Sequence, residues 1–288
     1  MYSTALQQLI TNAFAEDVGS GDHSTLCCIP TNQQGKAVLK VKENGILAGM
    51  EVAKKIFETV NPAATFIPYK VDGDTMQYGD IAYEVHTNVH TILTCERLAL
   101  NCMQRMSGIA TLTNQYATLL KPYNTKILDT RKTTPNFRLL EKEAVRIGGG
   151  YNHRMGLYDM IMLKDNHIDY CGGIEKAIEK ANEYIIKNKL QLQIEVETRN
   201  IDDVQKVLAV GGVHRIMLDN YTVPHTAEAV ALINKQYQTE ASGGINLNTV
   251  VDYAKTGVDF VSCGAIIHHA VSMDLSLKAA FSNVIIDN

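Results

Sequence analysis

The stretch Gln193-Ile-Glu-Val-Glu-Thr-Arg-Asn-Ile-Asp-Asp-Val-Gln-Lys-Val-Leu-Ala-Val-Gly-Gly-Val-His-Arg-Ile-Met-Leu-Asp-Asn220 decides the fold class. It opens on a short apolar run, Gln193–Val196, that ends at Glu197. Asp202–Val210 then carries apolar residues at helical spacing, and Gly211-Gly212 stops it. Arg215–Leu218 is a second apolar run, ending at Asp219. Strand, helix and strand in so short a span form a βαβ unit, whose two strands must be parallel.

The same texture extends in both directions. Upstream lie Lys126–Asp129 and Met160–Leu163; downstream lie Glu240–Ser242 and Phe260–Cys263. Helical patterns separate them at Gly173–Lys189, Pro224–Gln236 and Asn246–Lys255. The residues just after the apolar runs are Lys132, Lys164, Glu197, Asp219, Ser242 and Gly264, spaced by 32, 33, 22, 23 and 22 positions. A (β/α) barrel places its chemistry at such strand ends. An open doubly wound sheet gives the same local pattern, so periodicity alone leaves both open.

Residues 1 to about 105 read differently. Lys36–Lys42 alternates like a half-buried strand, and turn signals follow at Glu43-Asn44-Gly45 and Asp72-Gly73-Asp74. Met50–Val60 has helical spacing and stops at Asn61-Pro62. Leu93–Leu120 is a long helical pattern with Ser107-Gly108 in its middle. Glycine weakens a helix interior, so a break or a close packing contact is expected there, and with it the domain junction.

Composition narrows the function. The chain has 288 residues, 45% hydrophobic and 20% charged, with a net charge of −4. That excludes disorder and argues against general nucleic-acid affinity. No apolar run is long enough for a membrane helix. The N-terminus reads as an amphipathic helix and not as a signal peptide. The six cysteines include an adjacent pair, Cys27–Cys28, but no C-x-x-C, so structural thiols and a cytoplasmic location are expected.

Chemistry concentrates in a few motifs. Arg131 and Lys132 follow the first barrel-type strand and suit a dianionic ligand, although two cations alone equally describe a solvated loop. Gly148-Gly149-Gly150 precedes His153 and Arg154; the glycines allow close backbone approach, and the pattern fits neither a dinucleotide fingerprint nor a P-loop. Lys164 ends its run as an anion binder or an amine nucleophile, and His167 reads as a structural histidine. Glu195 and Glu197 share one face of their strand, and with Asp219 they can serve a sugar, a metal or a buried ion pair. Ser242-Gly243-Gly244 and Cys263-Gly264 occupy the last two strand ends, where barrels commonly bind phosphate. The set suggests a phosphorylated sugar and a multiply anionic second substrate.

Taken together, ERLALN (96–101), SGIATLT (107–113), DTRKTTP (129–135), GGGYNHRMGLYD (148–159), MLKDNHI (162–168), IEVET (194–198), MLDN (217–220) and EASGGI (240–245) closely resemble the quinolinate phosphoribosyltransferase family. EDVGSGDHST (16–25) is similar to that family's N-terminal segment. The resemblance implies an N-terminal open α/β sandwich, residues 1–106 rejoined by 267–288, and an incomplete TIM-like (β/α) barrel at 107–266. It implies conversion of quinolinate and 5-phosphoribosyl 1-pyrophosphate to nicotinate mononucleotide, pyrophosphate and CO₂ in NAD biosynthesis. Lys132, Lys164, Glu197 and Asp219 would be catalytic. Arg131, His153, Arg154 and Lys164 would line the quinolinate site, joined by Arg97 from the other subunit of a homodimer or higher even oligomer. Ser242, Gly243, Gly244, Cys263 and Gly264 would hold the 5-phosphate. Mg²⁺ would arrive with substrate near Glu197 and Asp219, without direct protein ligands. Asn136 stands where the family more often has glycine, and asparagine tolerates positive φ better than most residues. A molybdenum-transport-associated relative, a non-catalytic nucleotide binder and a Schiff-base aldolase resting on Lys164 are the competing readings.

Overall fold

The computed structural model describes residues 2–280. In chain order the first elements are α1 (Tyr2–Asp17), α2 (His23–Cys28), β1 (Gln34–Val41), β2 (Gly45–Ile46), α3 (Met50–Val60), β3 (Thr65–Pro68), β4 (Thr75–Met76), β5 (Ile81–Asn88) and α4 (Val89–Leu120). Then come β6 (Lys126–Leu128), α5 (Arg138–Ile147), β7 (Ile161–Leu163), α6 (Asp165–Cys171), α7 (Ile174–Asn188), β8 (Ile194–Thr198), α8 (Ile201–Val210), β9 (Arg215–Asp219) and α9 (Val223–Ile233). The chain closes with β10 (Gln238–Ser242), α10 (Val250–Lys255), β11 (Phe260–Ser262), α11 (Ala265–His268) and β12 (Leu275–Ala279). None of the helices among the described residues is long and apolar enough to cross a membrane.

Two compact units result. Among the described residues, one comprises 2–114, 133–149 and 269–280; the other comprises 115–132 and 150–268. The first is built on an antiparallel sheet in the order β12-β1-β5-β3. Helix α3 buries Met50, Val52, Ala53, Ile56 and Phe57. Phe57, Phe66 and Tyr83 form an aromatic cluster beside it, with Phe66 and Tyr83 ring centres 4.4 Å apart. Asp72 accepts the Met50 N–H at 2.9 Å, supplying the N-terminal cap that Gly49 cannot. Strand β12 returns to pair with β1, Leu277 opposite Leu39. The last part of the expected returning segment, 281–288, lies outside the described residues.

The expected junction at 106/107 falls inside α4, which runs unbroken through Ser107 and Gly108. Of the two outcomes expected at Gly108, a break or a close contact, the close contact is found. A Cβ at Gly108 would overlap the Val271 carbonyl, and the Ser107 hydroxyl both accepts from Ala48 N–H at 3.0 Å and donates to Ala48 O at 3.2 Å. Residues 133–149, expected in the barrel, belong to the first unit. Buried Glu141 ties them to α4: it accepts from Arg105 Nη2 at 2.8 Å and from Thr134 N–H at 2.8 Å.

The second unit holds six parallel strands in the order β6-β11-β10-β9-β8-β7, the sheet of an incomplete (β/α) barrel. All five residues of β8 are buried, as expected of a parallel strand covered on both faces. Ile194, Val196, Ile216 and Leu218 pack outward against Ile174 and Ile178 of α7, Val204 and Val207 of α8, and Ala229 and Ile233 of α9. Burying each such aliphatic chain contributes about 1.5–3 kcal/mol. Asn200 and Thr222 cap α8 and α9, accepting from Asp203 N–H and His225 N–H.

Candidate active site

Because alternate residues of a strand face opposite ways, the outward set fixes the inward one. The interior receives Glu195 and Glu197 from β8, Arg215, Met217 and Asp219 from β9, and Gln238, Glu240 and Ser242 from β10. Register places Glu195 beside Arg215 and Ser242 beside Asp219. The interior is therefore layered: Glu195, Arg215 and Glu240 lie deep, and Glu197, Asp219 and Ser242 lie at the C-terminal strand ends.

At those ends Lys164 Nζ lies 2.9 Å from Glu197 Oε2. Burial and the neighbouring Glu197 charge hold the Asp219 carboxyl above its ordinary range, while Lys164, the Ser242 hydroxyl and Asn220 oppose the shift. Asn220 sits in the left-handed region at φ 58° and donates from Nδ2 to Asp219 Oδ2 at 2.7 Å. Gly243, at φ 93°, lies against it: a Cβ there would overlap Asn220 Oδ1, so this strand end requires glycine. Gly264 is covered by the Lys132 chain, whose Cδ would be 3.1 Å from a Cβ at that position. Lys132 thus lies over the last glycine strand end.

The cationic part of the site is exposed Arg131 and buried Arg154. Burial, then the Arg131 charge, lowers the Arg154 pKa. Two guanidiniums that oppose one another make a receptor for an anion. Arg154 Nη1 donates to Met160 O at 3.2 Å.

His153 lies deeper than a lining residue, its side chain only 6% exposed. Its Nε2 is 2.9 Å from Glu195 Oε2 and 3.5 Å from Glu240 Oε2. Its Nδ1 accepts the Arg154 N–H at 2.7 Å. Burial lowers the imidazole pKa, but the two carboxylates outweigh it and raise it to about 9. A second ring proton would displace the Arg154 N–H from Nδ1. Burial and the Glu240 charge hold the Glu195 pKa above its ordinary value.

Apart from Arg97, the sequence-derived set lies in the second unit, and three details are added. Cys263 offers no phosphate contact through its N–H or thiol, because its N–H donates to Leu128 O at 3.0 Å and its thiol to Ile245 O at 3.3 Å. His153 turns both ring nitrogens inward. Gly148 makes its close approach to a helix: a Cβ there would overlap the Ala110 carbonyl of α4. Arg97 stands exposed on α4 in the first unit. Asn136 adopts φ 62°, the left-handed conformation asparagine tolerates. His167 accepts the Lys164 N–H at Nδ1, a structural role.

Family models for the quinolinate phosphoribosyl transferase N-terminal and C-terminal domains match residues 22–107 and 109–278. The chain belongs to this family. It is 44% identical to quinolinate phosphoribosyltransferase [decarboxylating] 2b, mitochondrial, of Nicotiana tabacum, covering 95% of this chain and 82% of that protein. It is 41% identical to the probable nicotinate-nucleotide pyrophosphorylase [carboxylating] of Bacillus subtilis, covering 96% and 94%. The solved structure of NadC from Streptococcus pyogenes superposes with a TM-score of 0.90 at 40% identity, covering 96% and 97%.

Within this family fold, sequence reasoning passed over Arg215 and Glu240 and left Glu195 without a defined role. Arg215 Nη1 lies 2.8 Å from Glu240 Oε2, and its guanidinium stacks on Phe260 at 4.1 Å. A signal was available: charged residues opening or filling otherwise apolar strands demand buried partners. Among the described residues, His153, Glu195 and Glu240 form the one constellation compact enough for a metal ion. Arg215 already supplies the positive charge a cation would bring.

Proposed function

We propose that this protein converts quinolinate and 5-phosphoribosyl 1-pyrophosphate to nicotinate mononucleotide, pyrophosphate and CO₂, a step of NAD biosynthesis. The observation that carries the reading is the strand-end cluster: Lys164 Nζ 2.9 Å from Glu197 Oε2, the Lys132 chain over Gly264 and Asn220 against Gly243, with the Arg131 charge felt at buried Arg154. Quinolinate has two adjacent carboxylates, and the guanidiniums with Lys164 match them in charge. Lys132, Ser242, Gly243, Gly244 and Gly264 take the phosphate groups.

Departure of pyrophosphate leaves positive charge at C1 of the ribose as the pyridine nitrogen bonds to it. Glu197 and Asp219 stabilise that charge, and Lys132 and Lys164 hold the anions. CO₂ then leaves, the electron pair of the C2–carboxylate bond stays on C2 beside the positive charge of the quaternised nitrogen, which stabilises it, and that pair takes up a proton. Glu197 and Asp219, whose pKa the Glu197 charge helps to raise, put negative charge beside a hard cation such as Mg²⁺ that would be carried by the substrate. When bound, Mg²⁺ neutralises pyrophosphate charge.

The reading includes a homodimer or higher even oligomer in which Arg97 from a second subunit completes the site, and a cytoplasmic location. The exposure of Arg97 on α4 supports the first part. Quinolinate labelled in its 2-carboxylate tests the reaction. Label is expected as CO₂ in step with nucleotide formation and only when 5-phosphoribosyl 1-pyrophosphate is present. Nucleotide formed with the label retained overturns the reading.

A further inference from the structure

Below the cationic strand ends lies a buried charged group that the reaction as written does not use. Glu195 and Glu240 are fully buried, and Arg215 is 9% exposed. Arg215 Nη1 reaches Glu240 Oε2 at 2.8 Å and Glu195 Oε2 at 3.9 Å, with Nη2 donating to Gln238 Oε1 at 3.2 Å. The Phe260 ring covers the guanidinium. The group therefore has one defined orientation, and it presents Glu195 to His153 Nε2.

His153 links this group to the substrate end. Its backbone N–H donates to Asp129 Oδ1 at 2.8 Å; Asp129 is itself fully buried and takes Asn152 Nδ2 at 2.6 Å. With the backbone pinned, the ring angle is set by what holds Nε2. That angle decides whether Nδ1 meets the Arg154 N–H. Rotating the ring away would break the 2.9 Å ion-pair contact between Nε2 and the buried Glu195 carboxylate, which is costly.

We propose that Glu195, Glu240 and Arg215 are positioning residues for the dicarboxylate end of the site: they orient the His153 ring, and the ring holds Arg154 through its backbone N–H. The identity of the ligand rests on the quinolinate reading; the mechanical link does not. His153 then acts on substrate through Arg154. Glu195 differs in role from Glu197, its neighbour on the same face, which belongs to the reacting end.

A double-mutant cycle on quinolinate binding, measured by calorimetry, tests the link. Glu195→Leu removes the acceptor and is expected to weaken quinolinate binding by about tenfold or more. Binding of 5-phosphoribosyl 1-pyrophosphate stays within about twofold, and Glu195→Gln, which keeps an acceptor oxygen, restores most of the loss. In an Arg154→Ala background Glu195→Leu has no further effect. Equal losses in both backgrounds, loss for both substrates alike, or failure of Glu195→Gln to restore binding overturns the proposal. Should Glu195→Leu not fold, His153→Asn in the same two backgrounds asks the same question. A crystal structure of the folded variant reads the link without ligand: Arg154 is expected to leave the Met160 carbonyl, and an unmoved Arg154 overturns the proposal. If the wild-type protein binds no quinolinate, the functional reading fails while this structural comparison still decides the positioning.

Discussion

Asp219, proposed above to act in turnover, carries a cost in stability. Burial and the Glu197 charge hold its pKa above the ordinary value of 3.8. A carboxyl with a raised folded value binds its proton more tightly when folded. Its stabilising protonation is complete below the unfolded value and lost as pH rises through the folded one. Asp219→Asn is therefore expected to raise the melting temperature at pH 7, with the gain fading below about pH 4. The same variant, and Glu197→Ala, should lower kcat by on the order of 10²–10³ with little change in quinolinate affinity, because the opposing charge develops only in the transition state. Paired melting and rate measurements separate this from a structural ion pair. A lowered melting temperature at pH 7 with near-normal kcat contradicts it.

At the scale of elements, α4 shows a local preference overridden by packing. Alanine is better than glycine in a helix interior by about 1 kcal/mol. At Gly108 a methyl group would meet the Val271 carbonyl, a backbone atom that cannot rotate away. Overpacking of that kind typically costs about 1–3 kcal/mol, so the clash outweighs the propensity. Gly108→Ala is expected to lower the melting temperature by roughly 2–4 °C per kcal/mol lost, measured by calorimetry; an increase would show that propensity wins. The same element marks the limits of the sequence. The six strand ends were legible because each apolar run stops at a polar or glycine residue. Residues 133–149 were not, because Glu141 reads as an ordinary helical charge until Arg105 and Thr134 are seen on it. The His153 ring was not, because its partners Glu195 and Glu240 come from other strands.

At the scale of the whole molecule, the first unit contributes exposed Arg97 and the second contributes the strand-end site. If Arg97 completes the site of a second subunit, Arg97→Ala and Lys164→Ala proteins, each inactive alone, should regain activity when mixed and allowed to exchange. One of the two sites in each heterodimer is then intact. Mixtures that exchange subunits and stay inactive contradict the shared site. The cationic strand ends are proposed to select a pyridine dicarboxylate for phosphoribosyl transfer with decarboxylation. The most direct measurement compares kcat/KM for nicotinate mononucleotide formation from quinolinate and from nicotinate, each with 5-phosphoribosyl 1-pyrophosphate. Nicotinate lacks the second carboxylate that Arg131, Arg154 and Lys164 are proposed to engage, and a site built for a missing polar group rejects the analogue by about 10⁴ or more. Turnover of quinolinate with nicotinate at least that much poorer is the expected result; comparable turnover of the two acids would contradict the account.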